Sequence, residues 1–144
     1  MRDAMKDGVD KYLLARVDIP ATEPLKIVAD RLSQLMPGFA LEAEEEDFAG
    51  RFDEVPAFIA ERGDIEFVLL GAPEGEPISH YELKFRCETD QSIETLLARD
   101  GVGFLRQFVS DKPVVNTALM DFSEELAQVL VRQGIEGCRP FGRK

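Results

Sequence analysis

The chain has 144 residues, 28 of them acidic and 17 basic, with one His, two Cys, no Trp and a formal net charge of −11. That length suits one domain, and an apolar fraction of 44% allows a buried core rather than a disordered chain. So much excess acid works against binding nucleic acid, which needs Lys and Arg placed on phosphates, and against adhesion to anionic membranes; it favours basic proteins, cations and neutral or cationic small molecules as partners.

Residues 1–10 mix charges with Gly8 and read as a tail without the apolar stretch of a signal peptide. "KYLLARVDIP" then alternates: Leu13, Ala15, Val17 and Ile19 share one face of a strand, and Pro20 ends it. Thr22 is a candidate cap for the next segment, Pro24 suits its first turn, and Leu25, Val28, Leu32 and Met36 recur at helical spacing up to "MPG". In "FALEAEEEDF", Phe39, Leu41 and Ala43 point to one side and Glu42, Glu44 and Glu46 to the other, which predicts a half-buried strand running into a loop at residues 47–53.

Residues 53–63 admit two readings. Val55, Phe58, Ile59 and Arg62 fit a short helix capped by Asp53, or the same letters form a hairpin with "ERGD" as turn and "IEFVLLG" as return strand, the reading preferred here. "GAPEGEP" is a loop. "SHYELKFRCE" alternates again, with Tyr81, Leu83, Phe85 and Cys87 inward and His80, Glu82, Lys84, Arg86 and Glu88 outward.

The second half turns helical. Asp90 or Ser92 can cap a segment carrying Ile93, Leu96 and Leu97, "DGVG" interrupts it, and Phe104, Leu105, Phe108 and Val109 resume helical spacing. "PVVNTALMDF" reads as a strand or extended link. A last helix begins at Ser123, carries Leu126, Val129 and Leu130, and stops at Gly134; residues 135–144 form a tail able to add an edge strand. Short, turn-rich links between strands favour antiparallel pairing. The expected fold is a single α+β domain over residues 1–144, a two-layer sandwich whose mostly antiparallel sheet of four to five strands carries two to four helices packed on one face.

Chemistry-bearing motifs are sparse. His80 is the single His and falls on the polar side of its strand, which opposes a Ser–His–acid triad. Cys87 falls on an apolar face; Cys138 lies beside Arg139, a weak activator of a thiol. Two Cys are too few for a disulfide scaffold, and reduced thiols with no export signal point to the cytoplasm. "GVG" at 101–103 lacks the strand and third Gly of a nucleotide fingerprint, and "RGD" at 62–64 is turn chemistry. No cofactor or metal site is expected: alternate Glu on a strand stand in a row instead of converging, and "EEEDFAG" lacks the spacing of a calcium loop.

The feature that remains is charge. Between Glu42 and Glu66 ten acids and two arginines leave −8, most of the excess of the chain. The expectation is a small acidic, non-enzymatic binding protein, of immunity, antitoxin or chaperone character, that docks on a basic protein through Glu42, Glu44, Glu45, Glu46, Asp47, Asp53 and Glu54. The alternative is a small hydrolase or isomerase that works with carboxylates.

Overall fold

Apolar residues at every second position from Leu13 to Ile19 make β1 (Lys11–Pro20) a strand with a buried inner face, and the rest of the sheet grows from it. The computed structural model describes residues 11–43, 57–71, 80–110 and 119–141. On one side β1 pairs antiparallel with β5 (His80–Thr89) along its full length, from Lys11↔Thr89 to Pro20↔His80. On its other side two short strands share the edge: β6 (Leu119–Asp121) runs parallel to residues 12–14, and β7 (Arg139–Pro140) runs antiparallel to Val17 and Asp18. Beyond β5 follow β4 (Ile65–Leu70), β3 (Ala57–Arg62) and the two-residue β2 (Glu42–Ala43), each antiparallel to its neighbour.

The result is an α+β fold whose open, mixed sheet has seven strands among the described residues, ordered β2-β3-β4-β5-β1-β6 with β7 also on β1. This corrects the expectation of four to five strands. The additional strands have two or three residues each, too few to show a period of two. The antiparallel expectation holds for every pairing but β1 with β6. Residues 57–70 form the hairpin, not the helix, and Gly63 supplies the positive φ of +65° that its tight turn needs.

Register decides the core. Ala15, Phe85 and Phe67 are cross-strand neighbours on the inner face, as are Val17, Leu83 and Leu69, and all six are buried. Phe67 sits at the middle of an aromatic cluster, with ring centroids 4.9 Å from Phe39, 5.1 Å from Phe85, 6.2 Å from Phe104 and 6.4 Å from Phe108. Each buried ring contributes on the order of 1.5–3 kcal/mol, and edge-to-face contacts add to that.

Among the described residues three α-helices contribute to the same core. α1 (Leu25–Leu35) buries Val28, Ala29 and Leu32. Its cap is not Thr22: Pro24 precedes the first turn, no side chain caps it, and the Pro24 carbonyl accepts from the amides of Ile27 and Val28. α2 (Ile93–Leu97) is capped by Ser92, whose Oγ accepts from the Thr95 amide at 3.1 Å. α3 (Ser123–Arg132) buries Leu126, Ala127, Val129 and Leu130, and ends where Gly134 adopts φ +105°. The spacing of Phe104 to Val109 resolves as a 3₁₀ helix (Gly103–Gln107) in place of an α-helix, yet it still buries Phe104, Leu105, Phe108 and Val109.

Residues 135–141 add the edge strand expected of that segment and are packed instead of loose: β7 pairs with β1, and Ile135 and Cys138 are buried. The expected N-terminal tail at residues 1–10, the loop at 72–77 and residues 142–144 lie outside the described residues. No helix among the described residues is long and apolar enough to cross a membrane.

Candidate functional site

The face of the sheet opposite the core carries the charges. Cross-strand rows can be read directly from the register: Leu14, Arg86, Glu66 and Glu61 in one, and Arg16, Lys84, Val68, Ile59 and Glu42 in the next. All of these are exposed or half-buried. Arg16 Nε meets Glu82 Oε2 at 2.7 Å and stacks 4.1 Å above the Phe141 ring, while Arg86 Nε lies 3.2 Å from Glu66 Oε1.

Of the predicted docking residues, Glu42 is exposed on this face at the sheet edge, in β2. Glu44, Glu45, Glu46, Asp47, Asp53 and Glu54 lie outside the described residues. Ala43, expected to turn inward and be buried, is exposed, at the end of the outermost strand of the described residues; Phe39 and Leu41 are buried as the alternation requires. The Leu41 amide donates to Ser33 Oγ at 2.9 Å, which ties the start of the acidic stretch to α1.

Folding adds two acids that the linear reading did not assign to this face. Glu61 and Glu66 are direct cross-strand partners, so Glu42, Glu61 and Glu66 stand on one face of three adjacent strands. Burial raises the Glu66 pKa above its ordinary value; Arg86 opposes this, while a hydrogen bond and like charge from Glu61 reinforce it. The signal was present in "ERGD": counting outward from the turn puts Glu61 opposite Glu66.

At the hairpin tip the chemistry differs. Arg99 Nη1 donates to Asp64 Oδ1 at 2.6 Å and Nη2 to Oδ2 at 3.3 Å, a bidentate clasp, while Nε and Nη2 both donate to Gln91 Oε1. The Arg99 hydrogen bond holds Asp64 below the ordinary carboxylate range against a smaller desolvation. Beside it, Arg62 Nε donates to the Gly38 carbonyl at 3.2 Å and its guanidinium lies against Gly101. "MPG", "ERGD" and "DGVG", three loops far apart in sequence, therefore meet at one junction.

Between this tip and the start of β1 opens a cavity of about 930 Å³. Its lining includes Tyr12, Leu14, Glu88, Thr89, Arg99 and Leu119. Cys87 also reaches it, but burial and the neighbouring Asp64 charge push that thiol up to about 12. Cys138 is likewise pushed to about 12 by burial, so the activation by Arg139 weighed from sequence does not occur. Both thiols are free and stay protonated near neutral pH, a state of low nucleophilicity. His80 is exposed at the start of β5. Among the described residues no three His, Cys, Asp or Glu side chains gather as metal ligands would.

Fold and site together define an α+β protein with an open mixed sheet, a charged outer face and a cavity at one end of that sheet. Comparison with family models, curated proteins and solved structures finds no match to this chain.

Proposed function

We propose that this chain is a non-enzymatic binding protein that docks on, or neutralises, a basic protein partner through the acidic edge of its sheet. The observation that supports this is the exposed Glu42 sharing one sheet face with Glu61 and Glu66, at the point where the chain enters the acidic stretch. On this reading Glu44, Glu45, Glu46, Asp47, Asp53 and Glu54 enlarge the same negative surface. The helices cover the inner face of the sheet in a two-layer arrangement and leave the outer face to the partner. Like charges crowded together repel one another and give the fold nothing, so a cationic surface that relieves the repulsion accounts for their placement. Nucleic acid and anionic membranes are disfavoured by the same charge, and a cytoplasmic role as an immunity protein, antitoxin or chaperone is the setting proposed.

The test begins with capture of the partner from native lysate and proceeds to association kinetics. Charge-steered association should slow steeply as salt rises and the Debye length shrinks. Replacing Glu42, Glu44 and Glu46 together by Lys should slow association with little change in thermal midpoint. An association rate that is flat in salt, or unaltered in the triple variant, rejects the docking reading.

The carboxylate-enzyme alternative draws on one observation, the raised pKa of Glu66 beside Glu61, since acid–base chemistry uses paired carboxyls held in different protonation states. Adjacent strand partners, however, project the same way from an open sheet, whereas a glycosidase pair must flank its substrate. Glu66→Gln would abolish turnover on that alternative and leave partner binding nearly intact on the favoured one.

A further inference from the structure

We infer that the cavity between the end of β1, the start of α1 and the turn after α3 is a binding site for a small organic ammonium compound with an aliphatic body. This goes beyond the docking reading and rests on different residues, on the opposite side of the sheet from β2.

The cavity holds about 500 Å³, within the size class of small-molecule sites, which set a few polar groups in a mainly apolar lining. Its floor is aliphatic: Ile19, Val28 and Ile135 line it and are themselves buried, so the opening reaches down to the core. Its walls are fixed on both sides. Tyr81 Oη donates to the Glu23 carbonyl at 2.7 Å, and the Pro24 carbonyl accepts from the Val28 amide at 3.1 Å. Across the opening, the Gly134 amide donates to the Val131 carbonyl at 3.0 Å and the Ile135 amide to the Leu130 carbonyl at 2.9 Å. Gly137, at φ +85°, packs so closely on the end of β1 that a Cβ would overlap the Pro20 ring. Walls held in this way are organised before a ligand arrives.

Charge selects the ligand. Arg31 Nη2 lies 3.0 Å from Glu23 Oε1 and 3.1 Å from Oε2, so those two charges offset each other. Lys26, on the exposed side of α1, is engaged by Asp30 at 2.9 Å. Arg132 and Arg139, which flank the turn in sequence, line a separate groove beside α3. Glu136 lines the cavity and makes no hydrogen bond or ion pair among the described residues. The lining thus carries one carboxylate in excess, above an aliphatic floor. A carboxylate supplies the counter-charge for an ammonium group, and the floor takes up an aliphatic body by removing it from water. An anionic ligand would find Arg31 already held by Glu23 and would be repelled by Glu136. The net charge of −11 further concentrates cations around the molecule.

The experiment is an amide chemical-shift titration of the whole chain with three probes of similar body: cyclohexylammonium, neutral cyclohexanol and anionic cyclohexanecarboxylate. Saturable shifts grouped at residues 19–23, 28–31 and 134–137 are expected, with the ammonium binding tightest and the carboxylate weakest. Glu136 is exposed, so Glu136→Gln leaves the fold intact. It should weaken the ammonium about two- to four-fold, the scale of an exposed ion pair, and leave cyclohexanol unchanged. Glu42→Lys, on the docking face, should not alter the titration, so the two proposals fail separately. Cyclohexanecarboxylate binding as tightly as the ammonium, ammonium shifts absent from these residues or spread over the acidic surface without saturation, or an unchanged affinity in Glu136→Gln would each overturn the proposal.

Discussion

Asp64 and Glu66 stand two residues apart on the same hairpin, yet the fold pushes their carboxyls in opposite directions. Asp64, at the tip, gains the bidentate clasp of Arg99 and is held ionised below its ordinary range. Glu66, on the outer face, is partly desolvated and faces Glu61, so its neutral form is favoured despite Arg86 at 3.2 Å. The tip is a place where distant segments lock together; the outer face is a place where like charges are held close at some expense of stability. That contrast separates acid that builds the fold from acid that is left for something else.

The largest effect should come from breaking the tip at its backbone. Gly38 has φ +91°, and a Cβ there would overlap the Gly101 carbonyl oxygen, which is backbone and cannot swing aside. Gly38→Ala should therefore lose roughly 2–4 kcal/mol, combining left-handed strain with overpacking. A urea midpoint close to that of the parent would show that the junction yields and that the tip is not rigid.

Arg99→Ala tests the same region through its side chain and should remove about 1 kcal/mol, since the bonds to Asp64 and Gln91 are charge-assisted but partly exposed. It should also change the pH profile. A carboxylate with a depressed folded pKa contributes stability above its unfolded pKa, near 4, and that contribution is lost as pH falls through the folded value. The parent should thus lose stability on acidification more steeply than Arg99→Ala. Parallel acid limbs in the two proteins would contradict the assignment of Asp64 to Arg99.

The smallest effect belongs to the outer face, with the opposite sign. A carboxyl whose folded pKa is raised contributes stability below its unfolded pKa, and that contribution is lost as pH rises through the folded value. Glu66→Gln fixes the neutral form, so near pH 7 it should stabilise by roughly 0.3 kcal/mol, the scale of a cross-strand like-charge pair. Below the ordinary Glu range the gain should vanish. Thermal melts that show Glu66→Gln less stable at every pH would mean that the Arg86 pair outweighs the repulsion from Glu61.

Much of the scaffold was legible. Leu13 to Ile19 and Tyr81 to Cys87 alternate so regularly that β1, β5 and their buried faces follow from a period of two. Leu126 to Leu130 with Gly134 announced α3 and its end. Strands at β2, β6 and β7 were anticipated, but their two- or three-residue extents and, for β6, its parallel pairing were not, because so short a strand owes its geometry to the edge it docks on. Thr22 failed as a cap because Pro24, not Thr22, precedes the first helical turn. Of the candidate site, the charge and the exposed side of Glu42 were readable, but its alignment with Glu61 and Glu66 required the register.

The sequence by itself determined which side chains of the long strands β1 and β5 turn inward, since alternate side chains of a strand point to opposite faces. It also determined the acidic character of the surface, because charge is a property of composition. Only the tertiary structure decided that β6 runs parallel to β1, that Arg99 reaches Asp64 across 35 positions, that Gly38 meets Gly101, and that Tyr12 and Glu88 frame a cavity. Those are contacts between segments with no local preference for one another. They form because burying the inner face of the sheet brings the strand ends and loops together, and the partners found there are whatever the packed core leaves within reach.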